Sequence, residues 1–264
     1  MRRSGRKEMN TRGQITIFII IALLIVTGIL IYFLWVKPTY IAPGGSLNIE
    51  NCMSEVIKES LPLLEKQAGF VTPPAFSYMY QGDKIPYLCY TNLYLQPCVN
   101  QKPFLKQHFE EQLQITVREK IYQCYEDSLN NLRSSGYEVL GSSKELNISI
   151  APNQIIVMLN APVTLSRESS SRFTQFKSVT VSPLYDNLMI ATSLVQFESK
   201  YGDSDVSTIM FMYPDLIINK LRQSDGTTVY IIEDKTDKSK LQFATRSYAW
   251  PAGYGIDTGL LRKQ

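Results

Sequence analysis

From Ile15 to Val36 the chain runs through 22 positions without a charge, and no other segment approaches that length. As a helix such a run is about 33 Å long, enough to cross a hydrocarbon core of roughly 30 Å. It is apolar all round instead of striped, which sets it apart from a helix buried in a soluble core. Lys37-Pro38 and Pro43-Gly44-Gly45 end it, because proline removes a backbone donor and disfavours helix at the residue before it. Beyond a linker over 37–46 the pattern changes to stripes. A first outer helix is predicted from Asn48 to about Leu64, with Ile49, Cys52, Met53, Val56, Ile57 and Leu64 on one face and Pro62 bending or shortening it. A second is predicted from Pro103 to Ser134, with Leu105, Phe109, Leu113, Val117, Ile121 and Cys124 along its apolar side and Gly136 as its cap.

From Tyr137 the period shifts towards two. Leu146, Ile148 and Ile150 alternate with polar neighbours, Pro152-Asn153 turns the chain, and Gln154 to Leu159 returns as a strand. Phe173 to Val181 reads as a further strand. Ser182-Pro183 caps a third helix that Gly202 ends near Tyr201. Strands are then predicted at Thr208–Tyr213 leading into Leu216–Leu221, at Thr228–Glu233 and at Leu241–Tyr248. Short turns between the last strands imply an antiparallel meander. The fold class expected is α+β: one N-terminal transmembrane helix, then an extracytoplasmic domain over 47–250 of about three helices and an antiparallel sheet, and a loose tail over 251–264.

Charge orients this layout. Arg2, Arg3, Arg6, Lys7 and Arg12 against Glu8 leave a basic tail over 1–14, which keeps the N-terminus cytoplasmic and places the large domain outside the plasma membrane. The whole chain is +3 and its first thirteen residues supply +4, so the remainder is close to −1. That removes the clustered basic face needed for nucleic acid, and the pI of about 8.5 reports topology alone. The partners implied are the lipid bilayer and envelope or pilus proteins. The apolar core exceeds the 7–15 residues of a cleaved secretory signal and no A-x-A site follows, so an uncleaved anchor is expected.

Arg12-Gly13-Gln14 stands immediately before the apolar run. This border resembles the class III signal of archaeal pilins and archaellins, and the Gly-Gln-Ile-Thr opening is similar to that of membrane-anchored exported proteins of small-genome archaea. The resemblance covers about 25 residues. It implies cleavage between Gly13 and Gln14 and a pilin-like role. Phe18 stands where many of those pilins carry Glu, and the prolines stop this helix sooner than a pilin helix stops.

The four cysteines all lie outside the apolar run, an even count that in an exported domain reads as disulfides. Cys52 and Cys124 both point to the apolar sides of helices that can pack together, and Cys89 and Cys98 flank an irregular stretch. The pairing expected is Cys52–Cys124 and Cys89–Cys98, each bridge contributing about 2–4 kcal/mol, against the rival of four buried thiols. Asn147-Ile148-Ser149 is a glycosylation sequon whose acceptor, Asn147, lies opposite the apolar face of its strand.

Motifs for catalysis are sparse. His108 is the only histidine and sits at the edge of a helical stripe; G-x-S-x-G, Walker and H-E-x-x-H patterns are missing. Asp203-Ser204-Asp205 lacks the rest of a calcium loop. Glu110, Glu111 and Glu119 read as a solvated helix face, and Gly253-Tyr254-Gly255 as tail. The tyrosines from Tyr78 to Tyr94 are expected to lid the first two helices, with a binding surface as the other reading. No catalytic residue, cofactor or metal set is assigned. The sequence supports a non-catalytic surface protein with a structural or interaction role. The alternatives are an extracytoplasmic binding or sensing module acting through a membrane partner, and an anchored hydrolase built from scattered carboxylates.

Overall fold

The computed structural model describes residues 21–28 and 48–251. Contacts divide the chain after Ser46, and the two parts are taken separately. Residues 21–28 are helical with exposed side chains. Among the described residues no helix is long and apolar enough to cross a membrane. The rest of the expected span at 15–36, the Gly13–Gln14 border and the tail beyond residue 251 lie outside the described residues.

The domain is α+β. Its helices are α1 (Ile49–Lys66), α2 (Leu105–Ser134), α3 (Leu184–Tyr201) and the short α4 (Val206–Met212). The expected single antiparallel sheet is replaced by two sheets. The first holds β1 (Ser77–Tyr80), β2 (Asp83–Tyr90), β3 (Val99–Asn100), β8 (Leu216–Arg222), β9 (Thr227–Asp234) and β10 (Lys240–Arg246), in the order β1-β2-β10-β9-β8 with β3 also on β2. β8, β9 and β10 form the antiparallel meander that their short turns dictate. β2 joins β10 in parallel, Tyr87 opposite Ala244. A parallel pair needs a remote crossover instead of a turn, so no local pattern announces it.

The second sheet is built on β6 (Gln154–Ser166), with β7 (Ser170–Val181) along one edge. β5 (Glu145–Ala151) and β4 (Glu138–Gly141) lie end to end along the other. The turn at Pro152-Asn153 forms, with Asn153 at a φ of 60°. The strand after it runs well past Leu159. Ile155, Val157, Leu159, Ala161, Val163 and Leu165 are all buried in strict alternation, and Pro162 sits where the β6–β7 register shifts, a tolerated place for proline.

The inner faces of both sheets share one core with α1, α2 and α3. α1 continues through Pro62 to Lys66 and is fastened to β7 by side chains: Ser54 Oγ lies 3.0 Å from Thr180 Oγ1, and Ser178 Oγ donates to the Glu50 carbonyl at 2.9 Å. The disulfides are Cys52–Cys124, which ties α1 to α2 with Cα atoms 6.0 Å apart, and Cys89–Cys98, with Cα atoms 5.4 Å apart. Both separations suit the bond.

Two further expectations are corrected. Thr208 to Tyr213 is not a strand: the Asp205 carboxylate accepts the N–H of Ser207 at 2.9 Å and of Thr208 at 3.4 Å, a side-chain cap that starts α4 there. The tyrosines do not lid the helices. Successive residues of a strand face opposite ways, and β9 and β10 send Tyr230, Ile232 and Phe243 to the main core but Val229 and Ala244 outward. There Tyr78, Tyr80, Tyr87 and Tyr90 build a second, small cluster on the outer face of the first sheet. Phe76 stacks on Tyr87 with centroids 5.2 Å apart, and the Tyr87 hydroxyl lies 2.9 Å from Thr227 Oγ1.

Candidate functional site

Along the second half of α1, Lys58, Leu61, Pro62, Glu65 and Lys66 recur at intervals of three and four and so share one face. That face forms one wall of an open cleft of about 440 Å³. The end of β7, from Thr180 to Ser182, supplies a second wall, and the β9–β10 turn closes the third side with Asp237, Lys238 and Ser239, followed by Lys240.

The turn is held by its own carboxylates. Asp234 Oδ1 accepts the N–H of Thr236 at 2.6 Å and of Asp237 at 3.3 Å, Asp237 Oδ1 accepts the N–H of Ser239 at 2.9 Å, and Lys238 takes a φ of 63°. These bonds fix where Asp237 and Ser239 stand against α1. Ser239 Oγ is buried and has no partner among the described residues.

Glu65 is only 4 % exposed, and among the described residues no side chain or backbone group hydrogen-bonds its carboxyl. Burial, with the Asp237 charge adding to it, pushes that carboxyl up to about 7. Around it, Lys66 pairs with Asp83 at 2.7 Å and Lys240 with Glu233 at 3.1 Å. Lys58 and Lys238 make no ion pair among the described residues. The cleft thus offers a carboxyl that holds its proton below about pH 7, a hydroxyl, two ammonium groups without an ion pair among the described residues, and apolar surface from Leu61, Pro62 and Val181. It can bind; it contains no nucleophile–base pair.

A second buried glutamate lies on α3. Glu198 is 2 % exposed and its carboxyl is also pushed up to about 7, first by burial, against the lowering pull of the Tyr230 hydrogen bond and Lys220. The Tyr230 hydroxyl donates to Glu198 and lies 2.7 Å from Ser204 Oγ. Lys220 donates to the Ser204 carbonyl at 2.8 Å and pairs with Asp203, which Arg222 also meets at 2.8 Å. This network is satisfied from within.

The residues singled out in the sequence for chemistry stand apart from the cleft's lining. Cys52, Cys124, Cys89 and Cys98 are in the two bridges. Asn147 is exposed on β5, paired with Met158 of β6. His108 packs on Phe70 with ring centroids 4.5 Å apart, and burial together with Lys102 lowers its imidazole to about 4. Asp203 and Asp205 are used in the ion pairs and in the cap of α4, and among the described residues no group of three metal-ligating side chains converges. Glu110 accepts the Ile150 N–H at 2.8 Å and pairs with Lys106, a structural tie between α2 and β5. Gly253-Tyr254-Gly255 lies outside the described residues. Sequence reasoning missed Glu65, although it extends the row Ile57, Leu61 by a further four residues and so places a carboxyl where the helix buries.

No family model, no curated protein and no solved structure matches the chain, so the site is read from its own chemistry.

Proposed function

We propose that this chain is a single-pass membrane protein, held by the run at 15–36 with its N-terminus in the cytoplasm, whose α+β domain serves a structural or interaction role at the cell surface. The observation that carries the reading is the pair of disulfides within the domain. Cytosolic thiol chemistry reduces such bonds, and exported domains keep them. The five basic residues ahead of the apolar run support the same orientation. Exposed Phe211, Met212 and Tyr213, at and just after α4, give the domain apolar surface of the kind used in protein contacts. Processing at Gly13, as in the class III signals that the border resembles, belongs to the same proposal.

The test is protease added to intact cells, followed by peptide mapping without reductant. Digestion of the domain on sealed cells, with both cystine peptides recovered, is the expected result. A domain cut only after the cells are opened, or four alkylated thiols, overturns the proposal. Mass spectrometry of the extracted protein separates the two forms of anchor: an intact Met-Arg-Arg terminus excludes cleavage at Gly13.

A second reading, a ligand-binding module that acts through a membrane partner, is favoured by the cleft at Glu65. Such a module needs a pocket with polar groups free for a ligand, and this one has the unpartnered Ser239 hydroxyl beside the Glu65 carboxyl. A melting shift on adding a small molecule tests it.

A further inference from the structure

Buried polar groups in folded proteins are nearly always hydrogen-bonded, and exceptions ask for a reason. One of them stands in this cleft. Ser239 Oγ, on the β9–β10 turn, is buried and unpartnered among the described residues, and Glu65, on α1, lines the same cleft at 4 % exposure with no hydrogen bond to its carboxyl. They come from elements far apart in sequence. Neither spends its polarity on the fold, whereas Asp234, Asp237 and Thr180 around them all do.

The charge around these donors has a sign. α1 contributes Lys58 and Lys66, the β9–β10 turn and the start of β10 contribute Asp237, Lys238 and Lys240, and the β7 wall contributes no charge. Asp83 and Glu233 neutralise Lys66 and Lys240, which leaves Lys58 and Lys238 against Asp237. A cation entering here meets two like charges and one opposite; an anion meets two opposite charges and one like. The volume exceeds that of a bare oxyanion, and Leu61, Pro62 and Val181 offer apolar contact to whatever the anionic head carries.

We propose that this cleft binds a small organic anion. Its carboxylate or phosphate head accepts hydrogen bonds from the Glu65 carboxyl and the Ser239 hydroxyl and is balanced by Lys58 and Lys238, and its body rests on Leu61, Pro62 and Val181. Glu65 serves as a donor only while protonated. Its carboxyl, held up to about 7, keeps the proton in mildly acidic solution and loses it above neutrality. Binding is therefore strongest below about pH 7, and rising pH replaces a donor by a like charge. The inference concerns the cleft alone and holds on either side of a membrane.

Calorimetric titration of the full chain in detergent tests this, at pH about 6 and about 8, with D-glucuronate as the carboxylate probe, glucose 6-phosphate as the phosphate probe, and glucose and glucosamine as neutral and cationic controls. Saturable binding of at least one anion is expected at the lower pH, weakening about tenfold at the higher, since each pH unit above the carboxyl's value costs a factor of ten. Whichever anion binds more tightly identifies the head. Glu65→Gln, which keeps a donor at every pH, should bind at both values with little change between them. Lys58→Ala with Lys238→Ala should weaken binding about tenfold or more while the melting temperature stays put. Failure of both anions to bind at pH about 6, preference for glucosamine, or indifference to the two lysine substitutions overturns the proposal.

Discussion

Glu65 and Glu198 suffer the same penalty and answer it in opposite ways. Both are almost fully buried on helices of one domain, and both carboxyls are pushed up to about 7, chiefly by loss of water. Glu198 is met by the Tyr230 hydroxyl, with Ser204, Lys220 and Asp203 behind it. Among the described residues Glu65 is met only by the charge of Asp237. Burial alone thus does not distinguish a structural group from a waiting one. The number of partners does.

Truncation should separate the two most sharply. Glu198→Ala removes the Tyr230 acceptor and opens a void in the core, and should cost about 3 kcal/mol in denaturant unfolding at neutral pH. Glu65→Ala, at the edge of a cleft that water can fill, should cost under about 1 kcal/mol. Equal losses would dissolve the contrast.

Next in size is the response to pH. Glu65 is raised from 4.5 to about 7, so between those values the folded chain holds a proton that the unfolded chain has lost. Its contribution to stability is complete below about pH 4.5 and is lost as pH rises through about 7. Replacing it by Gln should therefore leave stability unchanged near pH 5 and raise it near pH 8, on the order of 2 kcal/mol, read from paired urea melts.

Tyr230→Phe should cost about 1–2 kcal/mol, because it takes the donor from Glu198 and the partner from Ser204 while keeping the ring that stacks on Phe243 at 5.1 Å. Ser239→Ala should change stability by less than about 0.5 kcal/mol, since its hydroxyl bonds to nothing in the fold. A loss of 2 kcal/mol at Ser239 would assign its hydroxyl a structural task.

Much of the local structure could be read from spacing. Cys52 and Cys124 lie on apolar helix stripes, and the structure joins them; the Pro152-Asn153 turn and the Gly202 stop are where residue chemistry puts them. Gly202 takes a φ of 76°, and a Cβ there would collide with the ring of Tyr248. Thr208–Tyr213, expected as a strand, is helical instead because Asp205 caps the N–H groups two and three residues after it. The cleft was hidden for another reason. Glu65 is flagged by its row on α1, but Asp237 and Ser239 reach it through the β9–β10 turn, and the β7 wall through the β6–β7 hairpin. No periodicity within one element encodes a meeting of three.

The parallel register between β2 and β10 has a kinetic consequence. β2 is made early and β10 last among the described strands, yet Tyr87 must wait for Ala244 before its edge is covered. A chain released in order from a ribosome or an export channel exposes that edge until nearly the whole domain has emerged, and such non-local pairing is slow to form. Assembly of the first sheet is thereby timed by the final strand, and a truncation just before Lys240 would leave an unfinished, sticky template instead of a smaller domain.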